Sequence, residues 1–215
     1  MINIIVAYDN EDVKLGTYFE NCKNQLLSIL EEHHALVNNK PHEVSTRHCN
    51  NVYIDLLLPK YNAYPFIFIA YSHGNEKALC CRDNNYVEKD ANTHNFTNSL
   101  FYTTACSVGK ELGEHLISKG CLAFIGYKNS INVYRQDIKN RISMNCDNAG
   151  IITFLLDDIT IFEAYERMKN FYTQQIDKLY EVKDMLFAAD LVETLDALVF
   201  FGNRDLRKED LFLPK

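Results

Sequence analysis

The chain has 215 residues, of which 47% are hydrophobic and 24% charged. That length and balance point to one globular domain over residues 1–215 with a sizeable core, and exclude disordered, collagenous and low-complexity classes. A formal net charge of −7 argues against a protein that binds nucleic acid directly.

The first segment, MINIIVAYDN, lacks the basic region and the long apolar run of a signal peptide. No later apolar run approaches the roughly 18 residues of a membrane span, so a cytoplasmic location with no membrane partner is expected. Seven irregularly spaced cysteines in such a chain read as free thiols rather than a disulfide framework.

In chain order, INIIVAY (2–8) is a short β-branched run and predicts a central strand. Leu15, Phe19, Cys22, Leu26 and Leu30 recur at helical spacing and predict an amphipathic helix over about 12–33. Residues 34–50 are polar and read as a loop. NVYIDLLL (51–58), stopped by Pro59, reads as a helix. PFIFIAYSHG (65–74) is apolar on both faces up to Ser72-His73-Gly74, the pattern of an inner strand in a covered sheet. KALCC and YVEK, joined across Arg82 to Asn85, predict a hairpin.

SLFYTTAC (99–106) predicts a further buried strand. Val108, Leu112 and Leu116 then mark a helix starting just after Cys106 and capped by Gly120. CLAFIGY (121–127) is another strand. Residues 128–147 carry no periodicity and predict a surface loop. Asp147-Asn148 would cap a helix to about residue 158. Thr160 to Glu163 fits a capping box for a helix to about Tyr180. More helix follows over about 181–195, and ALVFFG (197–202) is a last strand. This alternation of strand and helix predicts an α/β sandwich.

Two strand ends carry chemistry. His73 closes one inner strand and Cys106 the next long one. Open α/β sheets place their sites at the carboxyl ends of strands, so the two side chains meet there if the strands are neighbours. A thiol at a helix start would have a lowered pKa, and His73 would serve as its base and then as acid. The amides of Gly74 and Cys106 would form an oxyanion hole, and a glycine after the histidine lets a carbonyl approach the backbone.

Rival chemistries fit less well. SVGKE lacks the earlier glycine of a phosphate loop, and Glu111 stands where Ser or Thr would hold Mg²⁺. An α/β-hydrolase needs glycines where Thr104 and Val108 stand. A zinc site from Cys80, Cys81, His94 and Cys106 lacks paired spacing. No metal or cofactor is therefore expected.

The sequence IFIAYSHG, a variable hairpin, SLFYTTACSVG, a helix and CLAFIGY resemble the caspase-like (clan CD) cysteine peptidases. Their hallmarks are strands ending in His-Gly and Ala-Cys, here His73-Gly74 and Ala105-Cys106. The ending ALVFFGNRDL is most similar to bacterial CHAT domains. The resemblance implies a caspase-like three-layer α/β/α sandwich with a mostly parallel central sheet. It implies a cysteine endopeptidase with a His73–Cys106 dyad acting on protein or peptide substrates. It also implies action in a bacterial defence system, with an activating protein partner and a moving loop over 128–147.

The departures from the family matter. Caspases read Q-A-C-[RQG]-G with the histidine about 50 residues upstream. Here Thr104 precedes Ala105-Cys106, and His73 lies 33 residues upstream. Aspartate specificity is therefore not implied. In separases and CHAT peptidases an acid after the next strand binds a P1 Arg or Lys. Asp147 is the first positional match and Asp137 the second. The alternative is an inactive caspase-fold binding or signalling module, or a nucleotide-binding α/β domain, for which no Gly-rich loop speaks.

Overall fold

The computed structural model describes residues 1–33, 40–82, 84–133 and 137–212, with only the backbone of Asp137. Its centre is a six-stranded sheet in the order β2-β1-β3-β7-β8-β9. The strands are β1 (Asn3–Tyr8), β2 (His42–Ser45), β3 (Phe66–Tyr71), β7 (Ser99–Thr103), β8 (Ala123–Tyr127) and β9 (Leu198–Gly202). Only β9 runs antiparallel to its neighbour, so the sheet is mostly parallel as expected. A second sheet of three short antiparallel strands holds β4 (His73–Gly74), β5 (Ala78–Cys81) and β6 (Asn84–Glu88).

Alternation along the strands explains the layers. Ile4, Val6, Ile67, Ile69, Leu100, Tyr102 and Ile125 point to one face. That face is covered by α1 (Gly16–Glu32), α4 (Asp137–Leu156), α5 (Ile161–Glu181) and α6 (Met185–Ala197). Ile5, Ala7, Phe66, Phe68, Phe101 and Phe124 point to the other. There α2 (Asn51–Leu57), α3 (Leu112–Ser118) and the hairpin residues Leu79, Tyr86 and Val87 close a second core. The caspase-like three-layer arrangement implied by the sequence is the one observed.

Several elements differ from expectation. The segment taken as a loop over 34–50 contains β2, a parallel edge strand whose single buried residue is Val44; residues 34–39 lie outside the described ones. The long strand read over 65–74 breaks at Ser72, so His73 opens the small sheet rather than ending the large one. The loop expected over 128–147 is cut short, because α4 begins at Asp137 and runs straight through Asp147. Asp147 is thus not a helix cap. Gly120, with φ of 94°, does end α3, and Thr160 and Glu163 form the expected capping box of α5.

Asp147 instead anchors the first core. It is 2% exposed, and its carboxylate accepts hydrogen bonds from Tyr18 (2.6 Å), Tyr127 (2.6 Å) and Tyr172 (2.8 Å). These hydroxyls come from α1, β8 and α5, so one carboxylate joins four elements. The neighbouring Asn148 accepts from Tyr71 at 2.7 Å and donates to Cys22 O at 2.9 Å. Burial pushes the Asp147 carboxyl above its ordinary range, against the pull of the three hydroxyls. Asp147→Ala leaves the buried Tyr18 hydroxyl without its acceptor and Tyr127 and Tyr172 with only each other, at 2.8 Å. It is expected to destabilise the fold by about 3–5 kcal/mol, read as a lower urea midpoint in chemical denaturation.

Candidate active site

The site follows from one pairing. β3 and β7 are adjacent and parallel, with Ala70 opposite Thr103. His73 and Cys106 each lie three residues beyond that pair. Thr104 N–H extends the ladder to Ala70 O at 3.2 Å, and Thr103 Oγ1 donates to the same carbonyl at 3.0 Å. The chains leave the two strands together and stay together. A Cβ on Gly74 would lie 2.7 Å from Val108 Cγ1, 2.9 Å from Ala105 Cβ and 3.0 Å from Cys106 O. Only glycine lets the histidine hairpin lie this close to the cysteine turn.

The two turns are also clasped from outside. Leu112 N–H donates to Glu76 O at 2.9 Å. Lys110 pairs with Glu76 at 2.7 Å, and Lys89 pairs with Glu111 at 2.8 Å. The structure therefore brings the His73-Gly74 turn against the Cys106 turn, which carry three of the residues singled out in the sequence.

Asp12, which sequence reasoning took only as a helix-start signal, completes the group. Its Oδ1 accepts from Lys14 N–H at 2.8 Å and Leu15 N–H at 2.6 Å, an Asx turn ahead of α1. Its Oδ2 lies 3.2 Å from His73 Nε2. Partial burial works against the charged form of Asp12. The Leu15 and Lys14 amides and His73 outweigh it and hold the carboxyl below its ordinary range. Thr46 Oγ1 steadies this turn by donating to Asp9 Oδ1 at 2.7 Å and accepting from Glu11 N–H at 3.2 Å. The Phe19 ring meets the His73 ring edge-on, with centroids 5.4 Å apart. The available signal for Asp12 was its place after the first strand, at the same sheet edge as His73.

Cys106 differs from expectation in one respect. The helix does not start beside it: residues 106–111 form turns, and α3 begins at Leu112. Ser107 takes a left-handed φ of 64°, a conformation uncommon outside glycine and concentrated at functional sites. No helix terminus lowers the thiol pKa. Burial raises it above the ordinary cysteine value, the Ile131 amide pulls it down, and the Asp147 charge pushes it up. Ile131 N–H donates to Cys106 Sγ at 3.4 Å.

Two main-chain donors lie in these turns. Ser107 N–H is taken by Asn129 O at 3.1 Å, whereas Cys106 N–H faces its own sulfur and meets no acceptor on another residue among the described ones. Asn75 N–H donates to Ala78 O at 2.9 Å, and the next pair, Gly74 opposite Leu79, is of the non-hydrogen-bonded kind. Gly74 N–H therefore turns away from β5.

Of the two acids expected to bind a substrate, Asp147 is engaged elsewhere. The Asp147 carboxylate is filled by three hydroxyls and faces the core, so its placement does not offer it to a substrate. Asp137 opens α4, and its side chain lies outside the described residues. Cys80, set aside above as a metal ligand, has its sulfur 3.2 Å from Asn85 Oδ1. Among the described residues, no three His, Cys, Asp or Glu side chains group to hold a metal. No helix among them is long and apolar enough to cross a membrane.

A mostly parallel six-stranded sheet with helices on both faces is the caspase-like fold, and solved structures share it. The chain superposes on the crystal structure of the Arg-specific cysteine proteinase gingipain R with a TM-score of 0.65 and 14% identity, covering 95% of this chain and 47% of that one. A complex of the pro- and mature domains of Porphyromonas gingivalis RgpB superposes with a TM-score of 0.51 and 14% identity, over 95% of this chain and 48% of that one. The chain thus spans about half the length of these proteins, and at this identity the likeness establishes the fold. No protein-family model and no curated protein matches the sequence.

The raised thiol pKa gives a direct expectation. Only the thiolate reacts with alkylating agents. The rate at Cys106, followed by peptide mass spectrometry, should keep rising with pH beyond the point where a free cysteine levels off.

Proposed function

We propose that this chain is a caspase-like cysteine endopeptidase in which Cys106 is the nucleophile and His73 the general base and acid. The observation that carries this reading is the approach of the His73-Gly74 turn to the Cys106 turn, just beyond two in-register parallel strands, with Asp12 on the Nε2 of the imidazole. With Nε2–H donated to Asp12, Nδ1 is the nitrogen left to serve the thiol.

The steps follow from these groups. The Cys106 proton passes to His73 Nδ1, and the sulfur attacks the scissile carbonyl carbon. The carbonyl oxygen becomes an oxyanion held by the amides of Cys106 and Gly74. The intermediate collapses as His73 returns the proton to the leaving amine, which leaves a thioester on Cys106. A water, deprotonated by His73, hydrolyses that thioester and restores the thiol. Asp12 touches no reacting atom in this scheme; it fixes the orientation and tautomer of the imidazole.

Protein or peptide substrates fit this chemistry, and a P1 Arg or Lys is the preference that the family resemblance suggests. The Arg-specific character of gingipain R supports it; the engagement of Asp147 by tyrosines leaves Asp137 as the acid to test. A role in bacterial defence and an activating protein partner extend the proposal and rest on the resemblance to CHAT domains. The raised thiol pKa is the observation that favours the second reading, an inactive caspase-fold module.

Turnover of fluorogenic peptides separates the two. Cys106→Ala and His73→Ala should each abolish cleavage with unchanged thermal melting; near-wild-type turnover in either variant would sink the assignment. Asp12→Asn should lower kcat about a hundredfold with little change in KM, the lower end of what positioned acid–base catalysis contributes. In a library scanned at P1, peptides with Arg or Lys should be cut fastest; a flat profile contradicts the basic preference.

A further inference from the structure

We infer that residues 129–132 form a strap that keeps Cys106 latent and is latched by a hydrogen bond between Asn132 and Asp190 on α6. The strap is read from the geometry, while its consequence for catalysis rests on the peptidase reading above.

Both main-chain groups of Ile131 lie against the sulfur. Its N–H donates to Cys106 Sγ at 3.4 Å, and its carbonyl lies 4.0 Å from the same sulfur. A scissile carbonyl has to come within bonding distance of Sγ to react, and on this side of the sulfur the place is taken. Asn129 O also accepts from Ser107 N–H at 3.1 Å, so the strap clamps the left-handed residue next to the nucleophile. The thiol is covered where the mechanism needs it open.

The strap is tied at its start, pressed on the first core through Ile131 and Val133, and latched on its outer side by an exposed side-chain bond. Lys128 N–H donates to Ala197 O at 2.7 Å and ties the start of the strap to the end of α6. At the other end, Asn132 Nδ2 donates to Asp190 Oδ1 at 3.0 Å in an exposed position. A neutral-to-charged side-chain bond at the surface is worth roughly a threefold to tenfold change in population. A latch of that size holds a resting state yet yields to a ligand that binds the open state better. Lifting the strap returns water to Cys106 and removes the burial that disfavours its thiolate, the larger effect, together with the Ile131 amide that favours it.

The test is the second-order rate of Cys106 alkylation by iodoacetamide, assigned by peptide mass spectrometry. It is measured on the full chain as wild type, Asn132→Ala, Asp190→Ala and the double variant, with thermal melting as a fold control. The two substitutions sit on different elements, so one measurement backs the other. Each single variant should react roughly threefold to tenfold faster than wild type, and the double variant no faster than the singles. Rates equal to or below wild type in both folded single variants would overturn the strap. Faster alkylation without peptide turnover in any variant would uphold the strap and reject the peptidase reading instead.

Discussion

The pairing of β3 with β7 is the constraint on which the site depends. Parallel strands side by side and in register deliver their next residues to the same sheet edge. His73 and Cys106 are neighbours because Ala70 faces Thr103, not because either residue selects the other. Gly74 then sets how near the two turns lie, since any larger residue would meet Val108, Ala105 and the Cys106 carbonyl. Slipping this register would separate the histidine from the cysteine and move the facing side chains off their cores.

Around that pairing the molecule holds its loops by two different means. On the helical side, Asp147 and its tyrosines make a rigid knot from α1, β8, α4 and α5. Buried networks of this kind are stiff when fully satisfied. On the opposite side, the hairpin shares a buried core with Ala105 and Val108 of the cysteine turn, and ion pairs and one backbone bond clasp the two at the surface. Surface pairs contribute little each, so the shared core carries most of the hold. Asp12 bridges the two regimes: its turn starts α1, and its second oxygen reaches His73 in the hairpin.

Much of this was legible in the sequence, for physical reasons. β1 and β3 are continuous apolar runs because both faces are covered. The Thr160–Glu163 box and Gly120 are local signals that depend on neighbours in the chain. His73-Gly74 and Ala105-Cys106 stood out as polar or reactive residues ending apolar strands. β2 escaped notice because an edge strand with one fully buried residue shows no apolar run. The start of α4 was hidden because its first turn is polar, with Ile138 exposed. Helical periodicity overreached after Cys106: Val108, Leu112 and Leu116 share a core, yet the chain reaches that spacing through turns before α3. Asp12 meets a histidine far along the chain, and only the assembled sheet shows that contact.

The central claim is that Cys106 is a nucleophile served by His73. It is tested most directly by incubating the protein with a peptidyl acyloxymethyl ketone carrying Arg at its end, then locating the adduct by mass spectrometry. The account predicts a covalent thioether on Cys106 in the native protein and none in His73→Ala at the same reagent concentration. Equal labelling with and without His73, or an adduct confined to Cys80, would contradict it.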